Sequence, residues 1–254
     1  MEFDELRPYV PGDDVRDIDW KASARSASVL IKRFVSEKHH KVLLVADAGR
    51  NMVALAPDGE RKCEVALHVL GTIGLITLGR ADEIGMVYGD ARGSLRVRQS
   101  HGENHIESML TSYQSHAGQH GPSDIVAQLT YVATHYRHSM LIVVVSDEPE
   151  PDERLDDALK RLTGRHDVLW TMVADMPAAG VKDGGYDVAT GKPVLGPAAM
   201  DPRVIAAYER AEKRRRKRLG ELMASHAVPH TVISGSGQIR RAVSDMTRVW
   251  SRAG

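Results

Sequence analysis

Val42-Leu43-Leu44-Val45-Ala46-Asp47 is an unbroken apolar run closed by a carboxylate. It is too short for a free-standing helix and has no polar residue at alternate positions. It therefore reads as a strand buried on both faces, as in a parallel sheet covered by helices. Met140 to Val145 repeats the pattern and ends at Ser146-Asp147. Asp167 to Val173 and His230 to Ile233 supply two further short strands. Between them lie stretches with helical spacing. Glu60 to Leu78 carries Val65, Val69, Ile73 and Ile76 beside Leu67, Leu70 and Leu75. Asn104–Tyr113, Ser123–Tyr136, Pro151–Thr163, Asp201–His226 and Gln238–Trp250 follow, with Ser123 as the expected N-cap of its helix. Glu83–Tyr88 and Ser94–Arg98, joined by Gly89 to Gly93, read as an antiparallel hairpin at a sheet edge. Asp175 to Pro197 is rich in Gly and Pro and reads as a long loop with a hairpin around Gly191. Strands alternating with helices predict an α/β fold: a doubly wound, mostly parallel sheet with helices on both faces.

The first residues differ from the rest. Residues 1–37 are charged and turn-rich, with a short strand at Val29–Phe34, and form a β-hairpin-like extension expected to pack on a main domain of residues 38–254. Asp13, Asp14, Arg16, Asp17, Asp19 and Arg25 surround Trp20. One reading is structural: Trp20 covers a sheet edge while Arg16 and Arg25 pair with Asp19 or Asp14. The other is a docking surface, since Trp, Tyr and Arg are favoured interface anchors.

Ligands in doubly wound sheets bind beyond the carboxyl ends of the strands. Asp47 and Asp147 both close strands at that edge, and Ser123 opens a helix there. Two carboxylates, a hydroxyl and helix N-termini suit a hard divalent cation. The same aspartates would equally serve as turn caps.

Composition excludes little beyond extremes. The chain of 254 residues has 34 basic and 34 acidic residues, so no global field points to nucleic acid. The basic run Lys213–Arg218 lies on a helix, where six consecutive residues point all around the axis, and Glu209, Glu212 and Glu221 stand within pairing distance. It reads as a solvated helix tail. The single cysteine, Cys63, precludes an internal disulfide and fits a cytoplasmic setting. The twelve histidines are scattered and suggest no metal site. No apolar run approaches the roughly 18 residues of a membrane span. Neither a Gly-x-Ser-x-Gly elbow nor a phosphate-binding glycine loop is present, so no enzymatic motif is found.

The segment from Phe3 to Arg25, FDELRPYVPGDDVRDIDWKASAR, resembles the signature of the DUF58 family, in which such a segment precedes a von Willebrand factor A (vWA)-like domain. The resemblance extends over nearly the whole chain and is weakest from Asp175 to Pro197. Family members often carry two membrane helices ahead of the signature, so membrane association would follow if the native protein were longer. The resemblance implies a metal-ion-dependent adhesion site, Asp-x-Ser-x-Ser plus a Thr and a later Asp. Here Asp47 and Asp147 match, Asn51 replaces one serine, Ser123 stands for the threonine, and Gly49 replaces the other serine. The site is thus degenerate, and Arg50 would oppose a cation if it pointed inward. Mg²⁺ or another divalent cation is the implied cofactor. The resemblance further implies a non-enzymatic adaptor acting with a MoxR-type AAA+ ATPase and a client protein. On this view the signature residues Arg7, Tyr9, Asp13, Asp14, Arg16, Asp19, Trp20 and Arg25 form the partner-binding set. The enzymatic alternative is a metal-assisted phosphohydrolase using Asp47 and Asp147.

Overall fold

The computed structural model describes residues 2–26, 28–35, 41–119, 121–177, 184–188, 191–194, 196 and 201–253. The chain forms two compact units, Met1–His39 and His40–Gly254. Of the twelve histidines, those at positions 39, 40 and 120 lie outside the described residues.

In the first unit, β1 (Glu2–Pro8) and β2 (Leu30–Val35) pair antiparallel, with Arg7 opposite Ile31. β1 is not among the strands expected from the sequence. A register shift between Phe3 and Glu5 accounts for this, because a bulge breaks the two-residue alternation that would have marked the strand. The connection holds a 3₁₀ turn, Val15–Asp17, and a one-turn helix α1, Trp20–Ser23. Each starts on an aspartate. Asp14 accepts from the Arg16 amide, and Asp19 accepts from those of Lys21 and Ala22, which satisfies N–H groups that a helix start leaves open.

The second unit is built on six strands: β3 (Lys41–Asp47), β4 (Glu83–Asp90), β5 (Gly93–Ser100), β6 (Leu141–Ser146), β7 (Asp167–Val173) and β10 (His230–Ile233). A separate two-stranded ribbon, β8 (Gly185–Tyr186) and β9 (Pro193–Val194), is the hairpin expected around Gly191, whose φ of 68° is one glycine tolerates. The sheet order is β10-β7-β6-β3-β4-β5. All neighbours run parallel except β5, which returns antiparallel along β4 as the edge.

Alternate residues of each central strand feed two cores. Val42, Leu44 and Ala46 of β3 join one core with α2 (Lys62–Gly79), α3 (Glu103–His116) and α7 (Ile239–Ala253). Leu43 and Val45 join the other with α4 (Ile125–His135), α5 (Glu153–Thr163) and α6 (Pro202–Ser225). Both faces of the sheet are therefore covered, the condition under which strands can be apolar throughout. This is the doubly wound, vWA-like α/β fold.

One element departs from expectation. By length and hydropathy alone, α2 would suffice to cross a membrane, although no such run was expected. Its Val65, Val69 and Ile73 face lies in the core against the sheet.

Candidate functional site

The chain leaves β3 for β4 and β5 on one side, then returns to place β6, β7 and β10 on the other. The strand order therefore reverses between β3 and β6. A crevice opens where successive connections diverge, which is why open α/β sheets bind ligands at that point. Asp47 ends β3, and Asp147 directly follows β6. The two expected carboxylates thus meet at the switch point. Both are buried, at 0% and 7% exposure.

Each is held by its surroundings. Tyr113 donates its hydroxyl hydrogen bond to the Asp47 carbonyl at 2.9 Å, and the Gly49 amide donates to Asp47 Oδ1 at 2.7 Å. On the other strand, Trp170 Nε1 donates to Ser146 Oγ at 3.0 Å, and Ser146 Oγ donates to the Asp147 carbonyl at 2.6 Å. The Asn51 side-chain amide crosses the crevice and donates to Asp147 Oδ2 at 3.1 Å.

Ser123 comes in from a third loop, but not as the N-cap expected for α4. Asp124 takes that role, accepting from the Ala127 amide. Ser123 is freed to accept from the Asn51 amide at 3.2 Å. Buried Asp90 holds this loop in place by accepting from Gly121 N at 2.6 Å. The close approach also explains the glycine at position 49. A Cβ there would stand 2.4 Å from Ser123 Cα, so no serine fits while the two loops stay zipped. The expected loss of one metal ligand has this steric cause.

The charge in the crevice differs from expectation too. Arg50, considered as an inward cation, is exposed. The inward cation is Lys62, which was not among the residues expected at the site. Its side chain is 1% exposed, it is bonded to Asp175, and its Nζ lies 3.9 Å from Asp147 Oδ2. A signal was there to be read: Lys62 continues the buried stripe of Val65, Ala66, Val69, Leu70 and Ile73 at helical spacing. A charged residue on such a stripe must meet a counter-charge.

Beside it, the buried Glu148 carboxylate is paired with Arg216 at 3.2 Å and Arg215 at 3.4 Å, and Glu212 binds Arg215 at 2.7 Å. The basic run is therefore not wholly a solvated tail. Arg215 turns inward on α6, while Lys217 pairs with Glu221 as expected. Glu209 forms no ion pair among the described residues, and Arg218 pairs instead with Glu150 at 3.6 Å.

Burial pushes the Asp47 carboxyl up to about 7, reinforced by the Asp147 charge, while the Gly49 amide, the Ser123 hydroxyl and Lys62 pull the other way. Burial also raises Asp147, against the pull of Lys62. Asp47 Oδ2 and Asn51 Oδ1 are buried without a hydrogen-bond partner. Asp47, Asp147 and Asp175 lie around the Lys62 ammonium, and the Arg215 guanidinium also acts on Asp147. Among the described residues no three acidic, His or Cys side chains gather to hold a metal ion, so a hard divalent cation here would rest on the two orphan oxygens with Asp147 and Ser123.

A cavity of about 1220 Å³ opens beside these residues. Lys62, Asp147, Asp175, Arg215 and Arg216 line its charged part, and the partly exposed Leu55, Tyr186 and Tyr208 line its mouth.

The N-terminal signature residues form a separate, locally paired set. Arg7 grips Asp13 through two bonds of 2.8 and 2.6 Å, and Arg16 grips Asp14 at 2.8 Å. Arg25 does not pair with Asp19 or Asp14 as expected: Lys32 takes Asp19 at 3.3 Å, and Arg25 forms no ion pair among the described residues. Tyr9 is half-buried, its amide bonded to the Val29 carbonyl, and Trp20 is 69% exposed.

Comparison with known proteins follows the same lines. A family model described as "Protein of unknown function DUF58" matches residues 5–218. The uncharacterized protein Rv1480 of Mycobacterium tuberculosis is 28% identical over 178 residues, covering 67% of this chain and 54% of its own length. The chain thus spans about half the length of the curated relatives it matches. Among solved structures, an aerotolerance-related membrane protein from Bacteroides fragilis superposes with a TM-score of 0.50 at 12% identity, over 82% of this chain and 99% of that one. BatB from Bacteroides thetaiotaomicron gives the same TM-score and identity over 84% and 99%.

Proposed function

The chain belongs to the DUF58 family, whose function is unknown, and from that premise we propose that its main unit is a protein-interaction module, with the β3/β6 edge as its contact surface. The observation that carries this reading is the crevice itself. Through Asn51 and Asp147 it adjoins a larger cavity lined by Lys62 and by exposed Leu55, Tyr186 and Tyr208. Aromatic and apolar anchors around a polar centre are the anatomy of a protein-binding site. The partner indicated by the family resemblance is a MoxR-type AAA+ ATPase, with a client protein as the second ligand. The signature residues Arg7, Tyr9, Asp13, Asp14, Arg16, Asp19, Trp20 and Arg25 offer a second docking set, of which exposed Trp20 is the natural anchor.

A divalent cation at Asp47, Asn51, Ser123 and Asp147 is part of the proposal, supported by the unpaired Asp47 Oδ2 and Asn51 Oδ1. Bound there, it would supply positive charge to the floor of the crevice. The same carboxylates would serve the phosphohydrolase alternative, with a bound cation activating water; the exposed Leu55, Tyr186 and Tyr208 beside them favour the interaction reading.

The test is capture of the purified MoxR-type ATPase encoded in the same genome. The wild-type protein should retain it, and Asp47→Asn combined with Asp147→Asn should lose most of it while keeping a cooperative thermal transition. Undiminished capture by the double variant would remove this edge from the proposal. In parallel, Mg²⁺ should raise the midpoint of thermal unfolding by mass action. The rise should be larger at pH 8 than at pH 6, because a proton on Asp47 competes with the cation. A midpoint indifferent to Mg²⁺, Mn²⁺ and Ca²⁺ at millimolar concentration would dispose of the cation and leave the interaction module standing.

A further inference from the structure

Lys62 and Asp175 form an ion pair whose two halves live in different surroundings. The ammonium is 1% exposed and fixed on the first turn of α2, whose apolar stripe is locked in the core. The carboxylate is 46% exposed and stands at the start of the segment that follows β7. The last backbone tie before it is Ala174 N to the Ile233 carbonyl, at 2.9 Å. The pair lies in the wall of the large cavity, near the partly exposed Tyr186, Tyr208 and Leu55.

A buried ammonium cannot be left without a counter-charge. Asp147 supplies only part of it, at 3.9 Å and already engaged by Asn51. A second carboxylate must sit on the open side of Lys62, but nothing requires that it be the one at position 175. Exchanging Asp175 for another carboxylate leaves the charge of the floor unchanged and returns Asp175 to water. No new desolvation of Lys62 is incurred, so only the incoming carboxylate loses water, offset by the return of Asp175 to solvent.

We infer that Lys62 is the anchor for a single carboxylate of a partner polypeptide, flanked by apolar residues that cover Tyr186, Tyr208 and Leu55, and that Asp175 holds that position when the partner is absent. This rests on the interaction-module reading and specifies what the partner presents: an acidic residue within an apolar segment, or an apolar chain end with its free carboxylate. Asp175 is then a built-in competitor. A tethered group competes at an effective concentration of order millimolar, so an untethered ligand must displace it before binding.

The experiment uses the full chain in buffer containing EDTA, so that no bound cation takes part. Three peptides are titrated and followed by backbone amide shifts: acetyl-Leu-Glu-Leu-amide, acetyl-Leu-Gln-Leu-amide, and acetyl-Leu-Gln-Leu with a free C-terminal carboxylate. The glutamate peptide should perturb amides around the cavity and bind about tenfold more tightly to Asp175→Asn than to wild type, because the internal competitor is gone. The blocked glutamine peptide should bind neither. If only the peptide with the free chain end binds, and does so more tightly to Asp175→Asn, the anchor stands and its ligand is a terminal carboxylate. Lys62→Met should lose all carboxylate-dependent binding. Should that variant fail to fold, the Asp175→Asn comparison still decides. Measurable binding of the blocked glutamine peptide equal to that of either carboxylate peptide, no binding of either carboxylate peptide to Asp175→Asn, or no gain in affinity from Asp175→Asn, would overturn the inference. Loss of ATPase capture on Asp47/Asp147 substitution despite such a result would leave the interaction-module reading intact. Intact capture with the expected peptide behaviour would instead fault the choice of edge or partner alone.

Discussion

Two regions of this protein draw on the same residue types and use them differently. In the N-terminal unit, Arg7–Asp13, Arg16–Asp14 and Lys32–Asp19 are pairs between near neighbours in the chain or across one hairpin, open to water. At the β3/β6 switch point, the buried Lys62 meets buried Asp147 and half-exposed Asp175 across long chain separations. In water, the attraction between such ions is largely cancelled by solvation and screened by salt, so the first set shapes loops more than it stabilises them. In the crevice, Lys62 and Asp147 have been desolvated and depend on their partners. The hydrogen bonds from Arg7 and Arg16 hold the carboxyls of Asp13 and Asp14 below their usual range. Burial drives Asp47 in the opposite direction. A list of charged residues cannot separate these cases, because burial decides both the sign and the size of the effect.

The contrast can be broken most directly at Lys62. Lys62→Met leaves Asp147 buried without its cation and should cost about 3–5 kcal/mol, read as a fall in the urea midpoint. Arg7→Ala, measured alongside, should leave the midpoint of the main transition unchanged. Equal effects from the two would erase the distinction.

Next in size is Asp47. Its folded-state value of about 7 lies above its ordinary 3.8, so the native state favours the protonated form. That contribution is complete below about pH 3.8 and is lost as pH rises through about 7. In EDTA, wild-type stability should therefore fall across this window. Asp47→Asn should flatten the fall and, at pH 8, exceed wild type by roughly 2–4 kcal/mol, the gap closing towards pH 4. Parallel pH profiles for the two proteins would refute the assignment.

Gly49→Ala should come third. Its Cβ would collide with the Ser123 backbone and cost about 1–3 kcal/mol by overpacking. Gly49→Ser would meet the same obstacle, so restoring the missing serine should weaken Mg²⁺ binding and not strengthen it; calorimetric titration would check this. The smallest effect belongs to Arg16→Ala, for which no resolvable change in thermal midpoint is expected, since the Arg16–Asp14 pair is open to solvent.

Much of the site could be read before the fold was known. Asp47 and Asp147 close apolar runs, and strands alternating with helices run parallel, which delivers both carboxylates to one edge. Lys62 was legible only as a faint signal, since a lysine in a first helical turn is usually solvated and only the register of the stripe argues otherwise. Asp175 carried no signal at all. It sits in a Gly- and Pro-rich segment without periodicity, and its meaning comes entirely from the ammonium it meets.

The order of strands and helices, the burial of the central strands and the common rim for two aspartates were determined by the sequence itself, because they follow from local periodicity and from where each apolar run stops. The tertiary structure alone decided which cation enters the crevice, why glycine stands at position 49 and which residue caps α4. Those outcomes depend on loops remote in the chain coming within a few ångströms of one another, and no short-range pattern encodes that distance.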